Sequence, residues 1–386
     1  MAALRVAGRG GRGVDVTLVN DRDHFVERIR LHQMAVGGKL PVRSIAKMIR
    51  GTGVRLLVGR VGAIDAEKRR VSVSSEEGER DISYDALIYA LGSGPADSGL
   101  EGVRRFAENI ATEVGARKLA DRLAALPSGG RVSVVGGGLT GIEAATEIAE
   151  ARPDLGVRLV SDVSIGAGLS EAGGAAVFGA LAELRVETRE YGRVAKVTKD
   201  SIVFWEGDSM PSDVTIWCAG FAPNALGRSS GLACTRSGRL ALDPFLRSVD
   251  APEIFGAGDG AAIASAEAEH IRMACATAMP LGAHAADNAL AMLSGRRLEP
   301  FGFGFFGQCI SLGRKRGIVQ RVTHEDVPVD SVVTGRFGAR LKEAVCRFTI
   351  AALAMERLIA GTYSWPRRRR AIVAGRAPAA LPASIG

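Results

Sequence analysis

The stretch RVSVVGGGLTGIEAATEIAE, residues 131–150, constrains this chain more than any other. Val132 to Val135 has the apolar, β-branched make-up of a buried strand and runs directly into Gly136-x-Gly138-x-x-Gly141. Ile142, Ala145, Ile148 and Ala149 then recur at helical spacing. The order predicts strand, tight turn and helix. Each glycine has its own physical reason: Gly136 makes the turn, Gly138 lets the backbone approach a pyrophosphate, and Gly141 lets the helix pack close to the strand. Free N–H groups at the positive end of the helix would face the phosphates. A second strand, Val157 to Val160, ends about 20 residues further on. A dinucleotide site is expected here; the plain alternative is a glycine-rich βα turn with no ligand.

Composition narrows the class. A chain of 386 residues can bury two or three cores, and 24% charged with 47% hydrophobic residues reads as a soluble globular protein. The 49 glycines against 4 tyrosines favour tight βα turns over an aromatic-rich sandwich. Five cysteines (Cys218, Cys234, Cys275, Cys309, Cys346) are scattered without a CxxC or CxxxxC pair or a signal peptide, which predicts a reducing compartment, hence the cytoplasm. No spacing of ligand residues suggests a metal, and no apolar run approaches the roughly 18 residues of a membrane span.

Read from the N-terminus, Gly8-x-Gly10-x-x-Gly13 matches the same glycine pattern as a string, but a helix-like piece (Ala2 to Ala7) precedes it and a strand (Val14 to Val19) follows. The context is inverted, so it reads as a helix end and turn. The strand ends in Asn20-Asp21, where the second strand of a nucleotide-binding unit carries its ribose contact. Residues 1–20 therefore look like the tail of a first helix and a second strand, and the expectation is that a strand and a V-x-G-x-G loop are encoded upstream. A missing central strand would withhold about five buried side chains at roughly 2 kcal/mol each.

Residues 24–38 carry His24, Arg28, Arg30 and His32 on a helix or loop, for which the plain alternative is a solvated face. Residues 54–90 alternate as short strands with charged turns at Glu67 to Arg70 and Glu76 to Arg80, ending in the buried YDALIYALGS, 84–93. DVTIWCAG, 213–220, repeats that pattern of acidic residue, strand and small-residue turn about 75 residues after the first glycine of the loop. Two units imply two nucleotides. A third landmark, Ile254-Phe255-Gly256-Ala257-Gly258-Asp259-Gly260, delivers an aspartate to a turn. The small residues Ala274, Ala276, Ala278, Gly282 and Ala286 that follow would admit a flat ligand or another helix.

Together these residues resemble the FAD/NAD(P)-dependent, pyridine nucleotide-disulfide oxidoreductase-like flavoproteins with two dinucleotide-binding domains, and most closely the type II NADH dehydrogenase-like branch. Carrying the resemblance are VTLVNDRDHFVERIRLHQ at 16–33, YDALIYALGS at 84–93, VVGGGLTGIEAA at 134–145, IWCAGFAP at 216–223, IFGAGDGA at 254–261 and FGQCISLGRKRG at 306–317. The fold class it implies is α/β: two Rossmann-like dinucleotide-binding domains plus a C-terminal α/β segment. The FAD domain, residues 1–102 and 239–295, is split by an inserted NAD(P)H domain, 103–238, and 296–386 follows. FAD would meet Asn20, Arg28, Leu91, Gly92, Gly258, Asp259 and Ala278. NADH or NADPH would meet Gly136, Gly138, Gly141, Glu143 on the nicotinamide side, Asp162 and Gly220. Asp162 comes one residue later than the family's ribose carboxylate, with Ser161 in its place; NADH is the expectation, and NADPH stays open. The FAD phosphate loop of the family has no match in this chain.

The resemblance implies hydride transfer from nicotinamide to flavin and then to an acceptor such as a quinone. Without a close cysteine pair the disulfide-reductase route is not expected, and no general acid or base is assigned. Two alternatives stay open: a tailoring flavin oxidoreductase acting on a specialised small molecule, and a non-catalytic nucleotide-binding relative that has lost FAD. Phe337, Leu341, Ala344, Val345, Phe348, Ala352, Met355 and Ile359 recur at helical spacing beside Arg340, Lys342, Arg347 and Arg357, and Trp365 and Arg367 to Arg370 follow. Residues 336–370 are thus either a peripheral contact with the inner face of the plasma membrane or a helix covering the flavin domain. Nucleic-acid binding is not expected, because the arginine run lacks an aromatic platform. A homodimer stays open.

Overall fold

The computed structural model describes residues 1–96, 98–265 and 268–366. Its largest sheet grows from Arg131–Val135. That strand pairs in parallel with Gly156–Val160 on one side and Val214–Trp217 on the other. Ala107–Glu108 and Glu187–Arg189 complete a five-stranded parallel sheet. A parallel sheet needs both faces covered, and Val132, Val134, Leu159 and Ile216 are fully buried beneath helices Glu113–Ala125, Leu139–Ala151 and Glu171–Glu183. Thr112 and Ser170 cap the first and third of these through the amides of Gly115 (3.0 Å) and Gly173 (3.2 Å).

The other strands are dispersed. Thr17–Asn20 pairs in parallel with Arg55–Val58, and Leu87–Tyr89 with Ile254–Gly256. Among the described residues no strand joins these two pairs. They are bridged by an apolar cluster of Val6, Ala286 and Leu290 with Val16 and Ile88 packed against it. Helix Ala2–Gly10 lies against helix Cys275–Leu293, with Arg5 paired to Asp287 at 3.0 Å. A Cβ on Gly282 would meet Ala2 at 3.7 Å. The small residues Gly282 and Ala286 therefore serve helix packing, and of the expected small-residue stripe Ala278 is the one that faces the Gly258 turn. That helix also begins later than the Gly-Asp turn suggests, because the strand Ala261–Ile263 intervenes.

Two further expectations are corrected. Residues 76–80 are not all turn: Gly78–Ser83 is a strand of the meander formed with Arg60–Asp65 and Arg70–Ser75. The cationic stretch after His24 is not a solvated face, since Glu27, Arg30, His32 and Gln33 are buried. Arg30 is satisfied by Glu27 at 3.0 Å and by Glu343 at 2.8 Å, the second far away in sequence.

The chain closes with antiparallel strands Gly307–Ser311, Gly317–Val322 and Pro328–Val333 and the long helix Gly335–Leu358. Gly338 and Gly317 bring helix and strand together so closely that a Cβ on Gly338 would fall 2.2 Å from the Gly317 carbonyl oxygen. The helix buries Gly338, Cys346, Ala352, Leu353 and Glu356, and leaves Phe337 65% and Phe348 53% exposed. Trp365 is not an interfacial anchor: it is 9% exposed, packs beside Phe301 and Tyr363, and its Nε1 donates to the Gly302 carbonyl at 3.0 Å. Arg367 to Arg370 lie outside the described residues.

Candidate functional site

The glycine loop is built as its spacing suggests. Gly136 has φ +123°, and a Cβ on it would sit 2.8 Å from the Cys218 carbonyl carbon. On Gly141 a Cβ would fall 1.8 Å from the Gly136 carbonyl oxygen, so helix and strand touch backbone to backbone. Gly138 differs: its absent side chain would meet nothing within 4 Å. Two glycines are demanded by the protein's own packing, while the third keeps a space clear. Gly138 is also the extended N-cap of helix Leu139–Ala151, with no side chain capping the turn. Open space in front of uncapped helix N–H groups fits a pyrophosphate. Gly220, at φ +95°, lies in the turn that starts at Cys218, and its carbonyl accepts the Ala96 amide at 3.4 Å.

At the end of the neighbouring strand Ser161 is buried, and its hydroxyl accepts the Val163 amide at 3.3 Å. Asp162 is exposed. The nearby arginines are engaged: Arg158 with Glu187 at 2.7 Å and Arg189 with Asp208 at 2.6 Å.

A second cluster assembles residues from five segments of the chain. Arg28 donates to the Ser93 hydroxyl at 3.3 Å, Ser93 donates to Asp259 Oδ2 at 2.7 Å, and Arg28 Nη1 lies 3.8 Å from the same oxygen. Gly92 borders Arg28, and a Cβ on Gly258, at φ +70°, would contact Ala278 at 3.7 Å. Arg239 donates to the Asp259 carbonyl at 3.2 Å. Asp259 Oδ1 carries no bond among the described residues, leaving an acceptor for a polyol hydroxyl. The residues fit the ribityl end of a flavin. Leu91 is exposed beside them. Asn20, expected at the adenosine end of FAD, donates its side-chain amide to the Arg22 carbonyl at 2.7 Å.

Glu143 occupies a third, buried cluster that sequence reasoning did not resolve. Its Oε1 accepts from Lys342 Nζ at 3.0 Å and from the Ser311 amide at 2.9 Å, and its Oε2 is 3.7 Å from His32 Nδ1. Burial pushes the Glu143 carboxyl up, but Lys342, His32 and the Ser311 N–H together outweigh it and hold it below the usual carboxylate range. Burial lowers the His32 imidazole from its ordinary range against the raising pull of Glu143, and its Nε2 has no hydrogen-bond partner among the described residues. One turn on, burial drives Glu147 up to about 7, only partly opposed by Arg314. No sequence signal pairs Lys342 with Glu143.

All five cysteines are free, and burial raises each thiol, Cys218 to about 12 and Cys275 to about 11. Among the described residues no group of side chains could hold a metal.

The split strands, the open glycine loop and the aspartate cluster define a flavoprotein oxidoreductase built on two dinucleotide-binding units. The pyridine nucleotide-disulphide oxidoreductase family matches residues 1–282, and the chain belongs to that family. It is 32% identical over 296 residues to an NADH dehydrogenase-like protein of Mycobacterium tuberculosis, covering 72% of each chain. It is 25% identical over 314 residues to a demethylphylloquinone reductase of Synechocystis, covering 78% of this chain and 77% of the other. In fold it resembles the sulfide:quinone oxidoreductase of Aquifex aeolicus, with a TM-score of 0.76 and 17% identity over 94% of this chain and 90% of that one. The chain is an NAD(P)H-dependent flavin oxidoreductase.

Proposed function

We propose that the chain oxidises NADH at the Gly136–Gly141 loop and delivers the electrons through FAD to a quinone at a membrane surface. The observation that carries the reading is Gly138, kept clear at an uncapped helix N-terminus within the same fold as the Arg28–Ser93–Asp259 cluster. In this reading residues 103–238 hold the nicotinamide dinucleotide, 1–102 with 239–295 hold the flavin, and 296–386 serve the acceptor side.

The flavin, when bound, supplies the hydride acceptor and the electron relay. The protein's residues position and shield. Helix N–H groups at Leu139 and Thr140 neutralise phosphate charge, and Gly136 with Gly220 shapes the loop to accept it. Asp259 offers Oδ1 to a ribityl hydroxyl while Ser93 and Arg28 hold Oδ2. Arg158 and Arg189 near Ser161 are held by Glu187 and Asp208, which favours NADH. Support for a quinone comes from the demethylphylloquinone reductase of Synechocystis, and support for a membrane surface from the exposed Phe337, Phe348 and Met355 of the C-terminal helix and Ile359 just past its end.

The test is an anaerobic titration of the FAD-supplemented chain with NADH, followed by a soluble quinone. Flavin absorbance that bleaches with NADH and returns with quinone supports the reading. Reduced flavin that quinone leaves reduced moves the acceptor to another class of molecule.

A further inference from the structure

A cleft of about 680 Å³ opens between the C-terminal helix and the turn joining strands Gly307–Ser311 and Gly317–Val322. Arg314, Lys315 and Arg316 line it from the turn, and Arg336, Arg340 and Arg347 from the helix. Glu343 is the single acidic residue of the lining. Some of this charge is matched: Arg316 pairs with Glu183, Arg347 with Glu343 at 2.9 Å and Arg314 with Glu147 at 3.9 Å, and Lys342, also in the lining, with Glu143 at 3.0 Å. Lys315, Arg336 and Arg340 form no ion pair among the described residues. A concave surface with this excess of cations is held open against its own repulsion and gains by taking up an anion. Guanidinium groups on two walls suit the oxygens of a phosphate.

What sits beside the cleft identifies the source of that phosphate. Phe337, Ala344 and Phe348 follow one another at helical spacing along the same helix and are exposed next to Arg336, Arg340 and Arg347. Apolar side chains that enter acyl chains and cations that stay at headgroup level belong on adjoining faces of one helix.

We propose that this cleft is a headgroup site for an anionic phospholipid, occupied when the helix lies on a membrane. The inference rests on the membrane-surface reading above and goes beyond it: a neutral bilayer satisfies the apolar face, and only an anionic one fills the cleft.

The test is co-sedimentation of the full chain with phosphatidylcholine vesicles with and without phosphatidylglycerol. Each basic side chain at an anionic surface is worth about five-fold in partition, so R336E/R340E lowers binding to the anionic vesicles by at least about twenty-fold and leaves binding to neutral ones unchanged. R12E/K199E changes net charge equally at exposed positions elsewhere and has little effect. Phe337→Ser with Phe348→Ser weakens binding to both vesicle types. Equal partition of the parent chain into both vesicles overturns the headgroup site and leaves the membrane reading standing. Equal losses from R336E/R340E and R12E/K199E also overturn it, as bulk charge without a site. Inorganic pyrophosphate that binds the parent chain but not R336E/R340E, with vesicle binding unaltered, assigns the cleft to a soluble phosphate instead. No binding to either vesicle type overturns both readings. Unchanged thermal unfolding of each variant excludes misfolding as the cause.

Discussion

Lys342 on the C-terminal helix places its ammonium 3.0 Å from Glu143 Oε1 on the glycine-loop helix, with the two side chains 12% and 14% exposed. Neither charge is tolerable alone at that depth, so the pair ties the last helix to the dinucleotide-binding helix.

Lys342→Met is expected to cost about 3–5 kcal/mol because it leaves a buried carboxylate uncompensated, and Glu143→Gln with Lys342→Met to recover most of that. Urea unfolding of the single and double variants measures both; equal losses would mean that the two residues act separately.

The pair also sets a pH dependence. The folded carboxyl of Glu143 titrates below its unfolded value of 4.5, so its contribution is present above 4.5 and is lost as pH falls through the folded value. In Lys342→Met burial acts with far less opposition, and the slope of stability against pH between about 5 and 8 should tilt downward.

Glu147 carries the opposite sign. Its folded value is raised from 4.5 to about 7, so the stability it contributes is complete below 4.5 and is lost as pH rises through 7. Glu147→Gln should flatten that slope and raise stability at pH 8 by up to about 3 kcal/mol. Thermal unfolding at pH 5 and pH 8 gives the comparison.

The glycine loop separates folding from binding. Gly141→Ala should destabilise the chain strongly, because its Cβ has backbone 1.8 Å away. Gly138→Ala, with open space and an unstrained φ of −77°, should unfold at the parent temperature yet raise the dissociation constant for NADH at least about ten-fold. Normal NADH affinity in Gly138→Ala would remove the pyrophosphate from this loop.

Asp259→Ala should retain fold and NADH binding while losing most flavin on gel filtration. Flavin retention at the parent level would place the ribityl chain elsewhere.

The glycine loop, its strand and its helix were legible in residues 131–150 because a positive φ, a close backbone approach and a helix start are short-range demands. The strand end at Asn20 was legible for the same reason, and its amide donates to the Arg22 carbonyl only two residues on. The limit of that range hid the burial of Arg30 and His32, whose partners Glu343 and Glu143 arrive from elsewhere in the chain.

By itself, then, the sequence determined the strand, turn and helix of residues 131–150, the conformational demands on Gly136 and Gly141 and the arrival of Asp259 just past a strand end, since each depends on neighbours a few residues away. Only the tertiary structure decided that Lys342 neutralises Glu143, that Arg28 and Ser93 hold Asp259, that Trp365 is inside and that Phe337 and Phe348 are outside. Those outcomes depend on which distant segments exclude water from one another, and periodicity along a single helix cannot say which of its faces will meet the protein.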